Sequence, residues 1–244
     1  MRSARAIGPA ITATFALVAL AGCVTTQQRN ARAALRATRL LASRRPVVVT
    51  HPNRDVRVTQ VELLRSAAGA AVVVGLANAS PKVLTDLPIS VGFRAGGRRT
   101  FLNRRGGLEY FQTHLASIGP RGQTAWVFAT RRRMPAGARP FALVGSPSVP
   151  PMSQGDDLPA IVAEPLTSGP AARLVRVRVH NPTQIPQYGL PVYALARRGA
   201  RYVAAGRTTL ADLGTNTTAI IGLKLIGSTR RASLRLEALP TIFR

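Results

Sequence analysis

The chain from residue 56 onward is built from short apolar or alternating runs separated by Gly, Pro and Asn. Residues 56–64 (VRVTQVELL) alternate in polarity, and the runs 70–78, 87–94, 124–130 and 139–144 follow after turn-like segments. Alternation with period two, interrupted by a turn signal every eight to twelve residues or so, is typical of antiparallel strands that bury one face. The sequence therefore predicts an all-β fold for this part of the chain.

The second half of the chain repeats the first. The matching pairs are 103 positions apart up to Arg98 and 95 positions apart after it: Asn78 with Asn181, Leu87 with Leu190, Arg98 with Arg201, and Leu115 with Leu210. A constant separation with one change is what a tandem duplication leaves. The first copy then carries an insertion between Arg98 and Leu115. We predict two tandem antiparallel β-sandwich domains at 53–148 and 160–244, joined by a Pro-rich linker at 149–159.

Each copy contains a strand, an Asn-x-Ser/Thr turn, a second strand, a glycine turn and a leucine-led stretch before another strand. The turns are Asn78-Ala-Ser80 and Asn181-Pro-Thr183. This order resembles the FxLYD-type immunoglobulin-like domains of bacterial surface lipoproteins, over about residues 53–148 and 157–242. The resemblance implies two immunoglobulin-like, non-catalytic modules outside the cytoplasm, and it transfers no functional residues. We expect Asn78 and Asn181 to be turn residues, because an Asn side chain bonds nearby backbone.

The N-terminus has the three parts of a secretory signal. Arg2 and Arg5 precede an apolar run at 11–20, which at about 1.5 Å per residue spans only half of a ~30 Å hydrocarbon core. The stretch Leu20-Ala21-Gly22-Cys23 that follows resembles the lipobox of bacterial lipoproteins. The resemblance implies a signal peptide at 1–22, lipidation of Cys23 and a lipid anchor at the extracytoplasmic face of the cell membrane. The alternative is a secreted protein in which Cys23 is a buried free thiol.

Residues 23–52 form a basic tether between the lipidated Cys23 and the first domain. Four arginines recur at three- and four-residue steps, at positions 29, 32, 36 and 39, while Ala33, Ala37, Leu40 and Leu41 fall on another face. This spacing predicts a short helix ended by Pro46. Such a helix either lies along the membrane or is a solvated spacer, and the alanine-rich apolar face favours the spacer.

The chain is strongly basic, with 34 Lys+Arg against 9 Asp+Glu and a formal net charge of +25. Nearly all of the cations are arginines, which a GC-rich genome would also produce. A surface of this charge attracts anionic lipid, anionic wall polymer and nucleic acid. The expected partners are therefore the membrane, through the lipid anchor, and one of these polyanions. An envelope protein partner is also left open.

No arrangement in the sequence indicates catalysis, a metal site or a cofactor. His51, His114 and His180 lie at no metal-binding spacing, and there is no phosphate-binding glycine loop or nucleophile elbow. The acidic pair at 156–157 lies in the Pro-rich linker. We therefore expect a non-enzymatic protein. A hydrolase whose residues converge only in the fold is the remaining alternative.

The segment that most resembles a binding site is the insertion of the first copy, in which basic and aromatic residues are mixed. Such mixtures bind phosphate backbones. The candidate anion-binding residues are Arg98, Arg99, Arg104, Arg105 and Tyr110. The competing interpretation is a solvated hairpin extension whose Phe101, Tyr110 and Phe111 cover the edge of the sandwich. Arg131, Arg132 and Arg133 form a second cluster, interpreted as a charged turn, and Trp126 and Phe128 are predicted core residues.

These observations favour a membrane-anchored, non-enzymatic interaction or structural module of the cell envelope. An envelope receptor for nucleic acid or another polyanion, which would bind through arginine-rich loops, is the second hypothesis. A hydrolase is the third.

Overall fold

The structure is a computed structural model that describes residues 25–43, 46–147, 149–153, 157–167 and 173–243. The predicted signal peptide and Cys23 lie outside these residues. Within them, one α-helix precedes two sets of β-strands, and every strand pairing is antiparallel. The prediction of an all-β sandwich fold is confirmed. No helix in the described ranges is long and apolar enough to cross a membrane.

The first sandwich consists of a three-stranded sheet, in the order β1-β2-β6, and a second sheet in which β3 pairs with β4, β5 and β7. Its strands are β1 (Val56–Ser66), β2 (Gly69–Asn78), β3 (Leu84–Ala95), β4 (Arg98–Phe101), β5 (His114–Ile118), β6 (Gln123–Thr130) and β7 (Arg139–Val144).

The second sandwich repeats this arrangement with a three-stranded sheet, β12-β9-β8, and a four-stranded sheet, β13-β11-β10-β14. Its strands are β8 (Val162–Thr167), β9 (Leu174–Asn181), β10 (Gln187–Arg198), β11 (Arg201–Leu213), β12 (Thr217–Lys224), β13 (Ile226–Gly227) and β14 (Ser233–Ala238).

The strand register shows what the insertion in the first copy does. In the second sandwich, β11 is a single strand of 13 residues that pairs with β10 from Arg201 to Leu213. In the first sandwich, β4 and β5 take the place of β11, and both pair with β3. The segment between them contains a short 3-10 helix, Tyr110–Gln112. The insertion therefore interrupts one strand and leaves the pairing on both sides of it in register.

The two asparagines of the repeat make equivalent hydrogen bonds. Asn78 Nδ2 donates to the carbonyl oxygens of Lys82 (2.7 Å) and Gly119 (2.8 Å), and its Oδ1 accepts from the Ser80 backbone N–H (2.9 Å). Asn181 makes the corresponding bonds to Ile185, Gly214 and Thr183, at 3.0, 2.9 and 3.0 Å. Both asparagines are buried. Each satisfies backbone groups of two turns, which is the role expected from the sequence.

The core of the first sandwich lies between its two sheets. Trp126 and Phe128 are buried there with their rings stacked at 6.3 Å, and Trp126 Nε1 donates to the carbonyl oxygens of Phe111 and His114. The second sandwich has its own cluster, which includes Val177 and Leu223. Trp126 and Phe128 are thus core residues, as predicted.

The two sandwiches pack against each other through the sheet β1-β2-β6 and the sheet β13-β11-β10-β14. Strand β2 is buried on both faces, since Val72 and Val74 face the first core while Val73 faces the second sandwich. From the other side, Tyr193 and Leu195 of β10 join the hydrophobic cluster of the first sandwich. The molecule is therefore a stack of four sheets with three apolar layers.

The linker and the tether also contact the sandwiches. In the linker, Met152 is buried and its backbone N–H donates to the Val83 carbonyl oxygen (3.1 Å). Helix α1 (Thr26–Ala42) begins with a capping box between Thr25 and Gln28. Its residue Ala37 is buried, so one side of the helix is covered by protein.

Leu41 shows how closely helix α1 approaches the second sandwich. A Cβ on Gly189 of β10 would lie 2.9 Å from a methyl carbon of Leu41, and the backbone φ of +62° at Gly189 favours glycine there. Leu40 and Leu41 pack against the first cluster, and Asn30 Nδ2 donates to the Gln184 carbonyl oxygen. The expectation of a solvated spacer is therefore corrected: the apolar face of the helix packs on both sandwiches, and its arginines face outward.

Candidate functional site

Two phenylalanine rings meet on the outer face of the β3 sheet, above a glycine. Gly92 of β3 pairs with Phe101 of β4 on one side and with Phe141 of β7 on the other. A Cβ on Gly92 would collide with the Phe141 ring, so the lack of a side chain lets the two rings meet across the strand. They contact edge to face, with centroids 5.2 Å apart.

Three arginines lie side by side in the next outward-facing row of the same sheet. Arg94 of β3 pairs with Arg99 of β4 and with Arg139 of β7, and all three are exposed. Residues directly opposite on neighbouring strands have Cβ atoms about 4.5–5.5 Å apart, and like charges in such pairs destabilise a sheet. The mutual repulsion of these three cations opposes folding, and an anion bound to the row would relieve it, which makes the row a candidate for binding anions.

The phenylalanine rings offset part of that repulsion. The Arg99 guanidinium carbon lies 4.1 Å from the centroid of Phe141 and 4.9 Å from that of Phe101. Arg104, which comes from the insertion, lies 3.3 Å above Phe101. These are cation–π distances, and each such contact contributes about 0.5–1 kcal/mol at an exposed site. The rings lie under the guanidinium groups of Arg99 and Arg104; Arg99 is exposed, and Arg104 is half-buried with its Nε covered.

Among the described residues, no acidic side chain forms a salt bridge with this cluster. The salt bridges of the described residues are Arg201–Glu62, Arg207–Glu109 and Arg235–Glu237, and none involves Arg94, Arg99, Arg104 or Arg139. A groove of about 540 Å³ runs beside the row, between the tight turn at Gly96-Gly97 and the loop at Gly137. We call these four arginines with Phe101 and Phe141 the arginine groove. Guanidinium groups match phosphate and carboxylate oxygens with two parallel hydrogen bonds.

The structure brings together only part of the set predicted from sequence. Arg99 and Arg104 lie in the arginine groove. Arg98 is exposed, but strand alternation places it on the opposite face of β4, and Arg105 is exposed in the insertion without contact to the rings. Tyr110 is buried away from the exposed arginines.

Tyr110 belongs to a buried cluster that ties the insertion to β3. Its hydroxyl donates to Asp86 Oδ1 (2.6 Å), and its ring stacks on His114 at 4.1 Å with nearly parallel planes. Burial, reinforced by the hydrogen bond to Asp86, raises the pKa of Tyr110. Burial lowers the pKa of His114, against an opposing effect of the Asp86 charge. Tyr110 is therefore a protonated hydrogen-bond donor at neutral pH, and it stabilises the insertion.

Sequence reasoning did not find Arg94, Arg139 and Phe141. All three lie outside the insertion, on β3 and β7, and only the cross-strand register places them beside Arg99 and Phe101. The glycine at position 92 between bulky neighbours is a signal in the sequence, because glycine inside a strand often marks a close approach.

The other candidates remain separate from this groove. Arg131, Arg132 and Arg133 are exposed in the turn after β6, and His51 is exposed before β1. Across the described residues, no group of three His, Cys, Asp or Glu side chains could hold a metal ion. Cys23 lies outside the described residues.

No protein-family model and no curated protein matches this sequence.

Proposed function

We propose that this chain is a lipid-anchored, non-enzymatic lipoprotein of the cell envelope whose first sandwich binds a phosphate-bearing wall polymer in the arginine groove. The observation that carries the proposal is the exposed row Arg99–Arg94–Arg139 beside Phe101 and Phe141, in which no arginine takes part in a salt bridge of the described residues. Four arginines clustered on one face of the sheet, two of which line a groove, suit a ligand with several closely spaced anions.

The geometry favours a phosphate polymer over nucleic acid. In proteins that bind single strands, bases stack on exposed aromatic faces. Here Arg99 and Arg104 lie over the rings of Phe101 and Phe141, and the guanidinium groups occupy the position that a base would take. Recognition would therefore depend on the anionic groups and would be insensitive to bases.

The groove is tested by the affinity of the full chain for long-chain inorganic polyphosphate and for single-stranded DNA at several salt concentrations. The variant Arg94→Gln/Arg99→Gln/Arg139→Gln should bind polyphosphate at least about tenfold more weakly. The slope of its log binding constant against log salt concentration should be smaller in magnitude by about 2. The reason is that each phosphate contact contributes about 0.7–0.9 to this slope. The matched control Arg131→Gln/Arg132→Gln/Arg133→Gln removes the same charge from a turn. Equal losses in the two variants would mean diffuse attraction and would refute the groove.

The lipid anchor is a separate part of the proposal, and it depends on the LAGC stretch. Two or more acyl chains make membrane attachment effectively permanent, whereas basic residues alone give attachment that salt reverses. Cys23→Ala should release the protein from the membrane fraction in high salt. A variant that stays equally bound under those conditions would contradict lipidation of Cys23.

A further inference from the structure

A cavity lies where helix α1, the start of β3 and the C-terminal segment meet. Its volume is about 380 Å³, at the lower end of the range of about 300–1,000 Å³ of small-molecule pockets. It is lined by Arg36, Arg39, Leu40, Ser43, Thr85, Asp86, Val149, Ile242 and Phe243. It is distinct from the arginine groove, with which it shares no residue.

Four side chains make the walls mainly hydrocarbon. Leu40 and Phe243 pack from outside on the cluster of the first sandwich, and Val149 and Ile242 complete the lining. The C-terminal segment is fixed in this position, because the Ser117 hydroxyl donates to the Pro240 carbonyl oxygen (2.7 Å). The cavity is therefore supported by packed elements on several sides, and its apolar walls suit a hydrocarbon ligand.

One side of the lining is basic and another is acidic. Arg36 and Arg39, one helical turn apart, are exposed and take part in none of the salt bridges of the described residues. Asp86, which accepts the hydrogen bond from Tyr110, is buried. An anionic group would be attracted to the two arginines on the helix side of the cavity, which sets the direction in which an amphiphile would enter.

We infer that this cavity binds a free single-chain anionic amphiphile, with its acyl chain between Leu40, Val149, Ile242 and Phe243 and its anionic head at Arg36 and Arg39. The inference goes beyond the proposed function. An inorganic anion would leave the apolar walls uncovered, and a neutral hydrocarbon would make no use of the two arginines. The small volume accommodates one chain, which distinguishes a fatty-acid-like ligand from a two-chain membrane lipid.

The test is calorimetric titration of the full chain, in detergent-free buffer, with dodecanoate below its micelle concentration. Saturable binding is expected. The affinity for shorter saturated carboxylates should fall about fourfold for each methylene removed, as expected for burial of a methylene group. Dodecanol, which has the same chain without the charge, should bind at least about tenfold more weakly. Affinity that does not change with chain length would overturn the inference.

Two variants on the same helix separate the head-group site from general charge. Arg36→Gln/Arg39→Gln should weaken dodecanoate binding about tenfold or more and leave dodecanol binding unchanged. The matched control Arg29→Gln/Arg32→Gln removes the same charge from exposed positions that do not line the cavity, and it should change affinity less than about twofold. Equal losses in both variants would overturn the inference.

A third variant, Val149→Trp, fills the cavity and should abolish dodecanoate binding. If Val149→Trp does not fold, the pair of arginine variants still decides the question.

Vesicles of phosphatidylglycerol test whether the ligand is a membrane lipid instead of a free amphiphile. The inference is wrong if Val149→Trp leaves the affinity for dodecanoate unchanged. It is also wrong if vesicles bind the chain through Arg36 and Arg39 and dodecanoate does not bind. Polyphosphate affinity should be the same in all three variants, so failure here is distinguishable from failure of the arginine groove.

Discussion

Strands β2 and β9 occupy the same position in the two sandwiches, and their inward faces are nearly the same. The corresponding core residues are Val72 with Val175, Val74 with Val177, and Leu76 with Val179, and all are buried. The outward faces differ. Val73 and Gly75 of β2 are buried, Val73 in the cluster that includes Tyr193 and Leu195 of the second sandwich, whereas the equivalent Arg176 and Arg178 of β9 are exposed.

This difference shows how a duplicated module acquires an interface. The inward face of each strand is needed to close its own sandwich, so both copies retain it. The outward face decides whether the sheet meets water or protein, because apolar surface gains about 25 cal/mol for each Å² removed from water. A strand that is apolar on both faces is stable only when both faces are covered.

The largest effect is expected when β2 is made to resemble β9. Val73→Arg places a charge without a partner between the sandwiches, where Val73 is fully buried. The free energy of unfolding should fall by more than about 4 kcal/mol, since burial of an unpaired charge is among the most destabilising changes. Chemical denaturation followed by Trp126 fluorescence measures this loss. The control Arg176→Val, at the equivalent exposed position, should stay within about 0.5 kcal/mol. Similar losses of stability in Val73→Arg and Arg176→Val would show that the outward faces of β2 and β9 are buried to the same extent.

The equivalence of the two turns predicts a smaller, matched effect. Asn78→Ala and Asn181→Ala each remove a buried side-chain amide that hydrogen-bonds two backbone carbonyl oxygens and one backbone N–H. Each should lower the free energy of unfolding by about 2–3 kcal/mol. Thermal and chemical denaturation of both variants measure the two costs. A large cost in one copy and none in the other would contradict the structural equivalence of the turns.

The insertion of the first sandwich also contributes to the contact with the second. Glu109 accepts hydrogen bonds from Arg207 (3.4 Å) and Thr209 (2.8 Å) of β11, and the Arg207 side chain is only 5% exposed. Glu109→Gln leaves a buried arginine without its counter-charge. Because Glu109 itself is largely exposed, solvent reduces the cost to about 1–2 kcal/mol.

Glu62 provides the matched control, because it also joins the two sandwiches by a salt bridge. Its partner Arg201 is 78% exposed, so Glu62→Gln should cost less than about 0.5 kcal/mol. Equilibrium denaturation distinguishes the two variants. If Glu62→Gln lowers the free energy of unfolding as much as Glu109→Gln does, burial of the partner arginine does not determine the strength of these salt bridges.

The smallest effect concerns pH. Burial lowers the pKa of His114 below its ordinary value of about 6.5, so at mildly acidic pH the unfolded chain binds more protons than the folded one. The contribution of His114 is therefore complete above about pH 6.5 and is lost as the pH falls below it. His114→Gln should reduce the loss of stability between neutral and mildly acidic pH. Unfolding measured across this pH range checks this expectation, and equal slopes for wild type and His114→Gln would contradict the assignment.

Local patterns were sufficient for most strands of the first sandwich and for the site residues next to one another in sequence. Local patterns predicted β1, β2, β3, β6 and β7 but not β4 and β5, which flank the insertion. Arg99 and Arg104 were identified because the insertion brings basic and aromatic residues together. Arg94, Arg139 and Phe141 could not be placed from local patterns, because their proximity to Arg99 depends on how β3 pairs with both β4 and β7. Tyr110 was interpreted both as a ligand contact and as an edge-covering residue, and its burial against Asp86 agrees with the second interpretation.

The sequence by itself determined the strand periodicity, the tandem repeat, the position of the insertion and a helix over the arginine-spaced segment 29–41. These follow from dihedral preferences and from spacing along one segment. The tertiary structure decided how the sandwiches stack, where helix α1 docks and which arginines share a face. The physical reason is that these features arise from contacts between distant segments, where burial of two-sided apolar strands such as β2 outweighs any local preference.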